Sequence, residues 1–477
     1  MNTLRKNVVY SSVLTVSGYL FPFLTFPYVT RVLGVSNIGI CNFVDSIVQY
    51  FIFFSMMGIT TLGIREVART KSNEVQLTKT YSSLLTLNLI ATIIAVTTLL
   101  IATCYVPQLR AHKYMFFVGA AKVFASTLQI EWLFKGLEDF KYITIRTIII
   151  RCIYVLSVFI FVRKSDDYFI YFLLTTGSVL VNAIINICYS KRFVKINLRE
   201  IELRAYYKPF VILGIYMLLT SMYTTFNVAY LGFITDINEV GYYTTATKLY
   251  TIIMSLFTAF TGVMLPRMSA LVSEGNISEI KRLTDKSVTT LLLFAIPLII
   301  ISEACAPKII EIIAGPGFEG AIVPMRIVMP LMIVIGLEQI YILQLLTPLK
   351  KDTYILTNSI VGASIGILMN VLFVSKLGCI GSSIVWITSE TIVLIVAQYE
   401  TKKLVNIGIP ISTITKNILY YLPLILTVWL FNVVCNDKLF SLIFTICIVV
   451  IYTIIVQIKY MKSDLLVSFT NKLKNKI

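Results

Sequence analysis

The chain has 477 residues, of which 57% are hydrophobic and 14% charged, and its mean hydropathy is +0.85. A soluble domain carries about 25% charged residues, so this composition excludes a soluble globular protein. The formal charge of +17 would suit a nucleic-acid surface, but the basic residues sit in short segments between apolar runs, so no nucleic-acid partner is expected.

A membrane-spanning helix needs about 20 apolar residues. About fourteen such runs follow one another, near 8–30, 38–60, 82–105, 114–134, 142–162, 168–190, 209–232, 242–264, 287–306, 325–347, 354–375, 380–399, 414–434 and 439–458. The expected fold class is an all-α polytopic membrane protein. The first run follows Arg5 and Lys6 as a signal peptide would, but its length, prolines and aromatics mark a retained span.

Placing the N-terminus inside puts the basic clusters in inner segments. These are Arg65, Arg69, Lys71 and Lys79; Lys191, Arg192, Lys195, Arg199, Arg204 and Lys208; Lys281, Arg282 and Lys286; Lys350 and Lys351; Lys402 and Lys403; and Lys472, Lys474 and Lys476. By this assignment about 28 of the 41 Lys and Arg residues lie inside, as the positive-inside rule demands. Both termini are expected in the cytoplasm, with anionic membrane lipids as contacts of the basic loops.

In chain order, the first hairpin, Phe21 to Gln49, is the most informative. Pro22 and Pro27 interrupt a helix in lipid, which neighbouring helices or water must repair. Arg31 ends that helix, Gly34 and Gly39 mark the turn, and Asp45 falls inside the next apolar run. A charge at that depth usually faces a bundle interior or a wet cavity. The outer loops are short, and the most basic segment, 191–208, divides the chain. The expected domains are 1–208, with spans one to six; 209–403, with spans seven to twelve; and 404–477, with two further spans and a basic tail. A faint repeat accompanies this division. Leu33-Gly34 followed by Gly39 is echoed six spans later by Leu231-Gly232 followed by Gly241. A parallel repeat is one way in which transporters form a central site between halves, although Leu-Gly at a helix end is also common.

Residues three, four and seven apart share a helix face. By that spacing Asn42, Asp45 and Gln49 align, as do Lys122, Ser126 and Gln129; Thr144, Thr147 and Arg151; Thr220, Thr224 and Asn227; and Lys248, Thr251, Ser255 and Thr258. Hydroxyls alone serve packing; stripes that contain a charge are stronger candidates. Arg151 and Lys122 lie deep in their spans, and Lys248 lies within snorkelling reach of the outer surface. Each has a bland reading as half of a buried pair, with Asp45 or Glu131 as the acid for Lys122 or Arg151. Arg31 serves equally as an interface anchor. Glu338 and Glu390 are candidate ion sites or packing partners. The eight cysteines are scattered, no Cys-x-x-Cys occurs, and His112 is the lone histidine; no metal, disulfide or cofactor is expected.

Several blocks in order carry a resemblance. They are Pro27-Tyr28-Val29-Thr30-Arg31-Val32-Leu33-Gly34 with Gly39; Gly58-Ile59 through Gly63-Ile64-Arg65-Glu66-Val67-Ala68; and Glu131-Trp132-Leu133-Phe134-Lys135-Gly136-Leu137-Glu138. Further on come Tyr230-Leu231-Gly232, Val240-Gly241-Tyr242-Tyr243, Ala246-Thr247-Lys248 and Leu265-Pro266-Arg267. Together they resemble Wzx-type polysaccharide-unit (O-unit) flippases of the multidrug/oligosaccharidyl-lipid/polysaccharide exporter superfamily. The resemblance implies two six-helix lobes around a central cavity lined by the first, second, seventh and eighth helices, opening alternately to either side. It implies a bacterial inner-membrane protein and no enzyme. The implied substrate is an undecaprenyl-diphosphate-linked oligosaccharide moved to the periplasmic leaflet, with a polysaccharide polymerase and a chain-length regulator as possible partners. Family members often carry Asp in the seventh span near Leu-Gly. Here Asn227 stands in that region, which puts ion coupling through it in doubt.

The chemistry agrees. A diphosphate that enters lipid needs buried cations to replace water, and Arg31 and Lys248 fall on the implied cavity helices, while Lys122 and Arg151 belong to the fourth and fifth spans. The competing readings are a lipid II flippase, a multidrug or metabolite exporter of the same superfamily, and a membrane polysaccharide polymerase. Against an enzyme, the sequence offers no Asp-x-Asp metal motif, no catalytic histidine constellation and no large outer loop.

Overall fold

The computed structural model describes residues 2–197, 201–222, 225–408, 410–435 and 437–460. Arg199, Thr224 and the tail lysines Lys472, Lys474 and Lys476 lie outside the described residues, as does the side chain of Thr220. Among the described residues the regular elements are all helices, and the molecule is an all-α polytopic membrane protein. Hydrocarbon leaves no backbone group a water partner, and a helix satisfies them all within its own segment.

Nine of the described helical stretches are long and apolar enough to cross a membrane, or ten if the bent pair Glu319–Val328 and Leu331–Leu346 is one span. Two of the nine exceed a single crossing: Val9–Thr70 has 62 residues and Asp352–Val405 has 54. Each contains a glycine with non-helical backbone, Gly34 at φ 74° and Gly378 at φ 54°. The runs expected near 8–30 and 38–60 are therefore two helices that meet at a kink at Gly34. Left-handed backbone is strained for any residue with a Cβ, so glycine is the residue that allows the reversal.

Packing divides the chain into two compact units, Met1–Thr244 with Gly366–Ser382, and Thr245–Ile365 with Ser383–Ile477. The first begins with α1 (Asn2–Met56), α2 (Ile59–Thr70), α3 (Glu74–Tyr105), α4 (Pro107–Arg110) and α5 (Lys113–Leu128). It continues with α6 (Glu131–Gly136), α7 (Phe140–Phe161), α8 (Tyr168–Ser190), α9 (Leu203–Ser221) and α10 (Thr225–Ile234), and takes in the start of α11 (Ile237–Ser273). Two of the sequence blocks fold against each other here. A Cβ on Gly63 of α2 would lie 2.6 Å from the Trp132 ring of α6, and one on Gly136 would lie 2.6 Å from Val67. Trp132 is buried and packs 5.7 Å from Tyr81 of α3. The two blocks thus form a knot at the end of the helices, with Lys71 and Glu138 paired at 2.7 Å at its edge. Asn73 caps α3 by accepting from Val75 and Gln76. His112, just before α5, is half-buried, and burial pushes its imidazole below the ordinary range.

The second unit holds the rest of α11, α12 (Ile277–Ile313), α13 (Ile322–Val328), α14 (Leu331–Gln339), most of α15 (Asp352–Met369), α16 (Ser375–Val405) beyond Ser382, α17 (Ile411–Val434) and α18 (Lys438–Ile455). Lys308 of α12 donates to Asn432 Oδ1 at 2.9 Å and to Ser441 Oγ at 2.6 Å, tying α17 and α18 to this core.

Candidate functional site

In the first unit the second half of α1 presents the stripe read from the sequence. Asn42 donates to Thr244 Oγ1 at 3.0 Å. Three residues on, Asp45 accepts from the ammonium of Lys122 on α5. The Lys122 side chain is 13% exposed and that of Asp45 is 45% exposed, so the carboxylate is the open end of the pair. Phe172 lies under the ammonium at 6.0 Å. Tyr154 of α7 lies beside Tyr171 of α8, near Asp45. Thus α1, α5, α7 and α8 converge on one polar cluster inside an apolar unit. An ion pair with extra polar neighbours is how a charge persists at such depth.

Arg151 and Glu131 do not form the pair that the sequence allowed. Arg151 donates to Ser17 Oγ and to the Leu14 carbonyl on the first half of α1. Glu131 goes to Arg146 at 2.8 Å, and to Lys135 at 3.2 Å. Arg146 is buried and also donates to Asn186 Oδ1 and to Thr147 Oγ1, while Asn186 donates onward to the Gln129 carbonyl. Sequence reasoning passed over Arg146 and Asn186. The available signal was Arg146 lying five residues before Arg151 in the same span, with Glu131 as an unmatched acid.

Arg31 lies exposed at the C-terminal end of the first half of α1, and Lys248 is half-buried on α11. Asn227 of α10 is buried and donates to Tyr243 Oη at 2.9 Å and to the Ser382 carbonyl at 2.8 Å, while its own Oδ1 is buried without a hydrogen-bond partner. In the second unit Glu338 of α14 and Glu390 of α16 lie against one another. Glu390 is buried and accepts from Trp386 Nε1 at 3.0 Å. Tyr250 packs edge-on against Trp386 at 5.1 Å. The Glu338 oxygen Oε2 is buried with no partner. Among the described residues no group of His, Cys, Asp and Glu has the arrangement of a metal site.

The motif blocks that build the first unit coincide with a known family. The model of the polysaccharide biosynthesis proteins matches residues 4–272, more than half of the chain. The chain belongs to that family. This member is 27% identical over 353 residues to a protein of Escherichia coli (strain K12) that carries the name of an O-antigen transporter, covering 72% of this chain and 85% of the relative. A Shigella dysenteriae protein bearing the same name is 25% identical over 290 residues, 58% of this chain and 70% of the relative. Among solved structures, the lipid II flippase MurJ in an inward closed conformation superposes with a TM-score of 0.79 at 14% identity, covering 95% of this chain and 99% of that one. An inward-facing MATE-family multidrug resistance transporter of the MOP superfamily superposes with a TM-score of 0.63 at 11% identity, covering 83% and 98%. At these identities the family member shares their fold.

Proposed function

We propose that this protein is a flippase, not an enzyme, that carries undecaprenyl-diphosphate-linked oligosaccharide units from the cytoplasmic to the periplasmic leaflet of the bacterial inner membrane. The observation that carries the reading is the family match over residues 4–272, joined by relatives named for O-antigen transport. In this reading the chain works by alternating access, with lobes 1–208 and 209–403, two appended spans, and both termini in the cytoplasm. A polysaccharide polymerase and a chain-length regulator would take up the product.

The diphosphate is held by cations in a central cavity. Arg31, exposed on the first hairpin, offers the forked geometry that suits phosphate, and Lys248 a point charge. Lys122 and Arg151 are secondary contacts, since each is already engaged inside the first unit. Asn42 and Asn227 extend the polar path toward the sugar. Asp45 and the Glu338–Glu390 pair are the coupling acids; the unpartnered Glu338 oxygen and the contact between the two carboxyls support the latter.

The test is complementation of a strain that lacks its O-unit flippase. Arg31→Ala and Lys248→Ala should each abolish surface polysaccharide while the protein still inserts at normal abundance. Normal polysaccharide from both variants would remove the cationic cavity from the proposal.

A further inference from the structure

The seam between α7 and α8 bears two cavities. One, of about 470 Å³, runs past Ile153, Tyr154, Ser157, Leu173, Gly177 and Val181. The other, of about 510 Å³, runs past Lys141, Tyr142, Ile145, Ile185 and Tyr189. Ile150 lines both, so they lie end to end along the α7–α8 seam as one apolar groove would, and Ile145, Ile153, Leu173 and Val181 along it are exposed. Small residues make it. A Cβ on Gly177 would meet no atom within 4 Å, and Ser157 and Ser178 keep the floor low.

Three features say what the groove holds. The first is length. From Lys141 to Phe161 the helical rise of 1.5 Å per residue gives about 30 Å, the full thickness of a bilayer's hydrocarbon core. An ordinary phospholipid acyl chain fills one leaflet, about half of that depth, so a single chain that occupies the whole groove is longer than an ordinary acyl chain. The second is the wall. Tyr154 lines the groove and lies beside Tyr171 and Asp45, whose partner is Lys122. One side chain therefore separates a lipid-open apolar track from the charged cluster. The third is the end of the groove. Lys141 lies exposed there, and the guanidinium of Arg192 sits 5.1 Å over the Tyr189 ring. The acid at that end, Asp139, is engaged by the Tyr189 hydroxyl at 2.8 Å. Cations at the mouth of an apolar groove suit a phosphate-headed lipid.

We infer that the α7–α8 groove is the track of the substrate's isoprenoid chain, holding the tail against the first unit while the head group crosses. This inference rests on the flippase reading and adds the tail's binding site to it. The full chain would be reconstituted in vesicles of phosphatidylethanolamine and phosphatidylglycerol with a polyprenyl diphosphate that carries a terminal diazirine. After irradiation the labelled peptides are mapped by mass spectrometry. The expected labels fall on residues 150–161 and 170–181, chased by unlabelled polyprenyl diphosphate and not by added phosphatidylglycerol. Gly177→Leu, which fills the groove, should weaken that labelling about tenfold, the loss of roughly one side chain's apolar contact. Ser157→Leu repeats the test from the opposite helix should the first variant fold poorly. Labels chased equally by phosphatidylglycerol would mean an ordinary lipid contact and would overturn the track. Specific labelling elsewhere would overturn the track and leave the flippase reading standing. No displaceable labelling anywhere would sink both.

Discussion

Gly39 and Gly241 approach so closely that neither position has room for a methyl group. A Cβ on Gly39 would lie 2.1 Å from the Ile237 carbonyl oxygen, and one on Gly241 would lie 2.5 Å from that of Val35. The two glycines that mark the repeat in the sequence are therefore the reciprocal contact through which the hairpin after Gly34 meets the start of α11. Gly39→Ala and Gly241→Ala should each destabilise the protein by about 1–3 kcal/mol, the usual cost of overpacking. Gly262→Ala, on the same α11 with open space around it, should be neutral or stabilising by up to about 1 kcal/mol. Thermal unfolding of the purified protein in detergent compares the three, and equal behaviour would refute the close approach.

Arg146 and Glu131 make a second prediction. The Arg146 side chain is 4% exposed, so removing its acid leaves a buried charge. Glu131→Ala should cost about 3 kcal/mol and visibly lower the amount of folded protein in membranes. The double variant Glu131→Leu with Arg146→Met should regain most of the loss, because an apolar pair needs no desolvation. Abundance on size-exclusion chromatography reads both.

The unequal exposure of Asp45 and Lys122 gives a directional test. Asp45→Ala strands an ammonium that is 13% exposed, whereas Lys122→Ala strands a carboxylate that is 45% exposed. Water reaches the second far better than the first, so Asp45→Ala should be the more destabilising of the two. The reverse order in unfolding temperatures would contradict the geometry.

Topology is open to a direct check. Alkaline phosphatase fused after Lys208, or at the C-terminus, should remain inactive, since the proposed orientation puts both points in the cytoplasm. Activity at either fusion would overturn the proposed orientation.

His112 predicts a small pH effect. Burial lowers its folded-state value below the ordinary 6.5, so the unfolded chain binds the proton more readily. Stability should fall as pH drops through 6.5 toward the lower, folded value. His112→Gln should flatten that part of the profile, and melting curves across mildly acidic pH would show it.

Much of this architecture was legible in the chain because lipid imposes simple rules. Runs of apolar residues mark helices, and the prolines and glycines of Phe21 to Gln49 mark where they bend. The Asn42–Asp45 stripe was visible from spacing, and so was the option that Lys122 meets Asp45. The choice of Arg146 over Arg151 for Glu131 was not legible, since both arginines lie in one span five residues apart. Nor was the meeting of Glu338 with Glu390, whose partners come from segments about fifty residues apart. The knot of Gly63 and Trp132 was present in the sequence as two blocks with nothing to say that they touch. Periodicity assigns residues to faces; it does not say which faces meet.

The pairing of Lys122 with Asp45 sets a rule of exchange. An ammonium that is 13% exposed has little room for a second anion beside the carboxylate already there. In the proposed function a phosphate that takes Lys122 must displace Asp45, whose side chain is 45% exposed and can turn to water. Anion arrival at Lys122 and release of Asp45 would then be two halves of one exchange, so whatever draws Asp45 away would also favour phosphate at Lys122, and by linkage the converse.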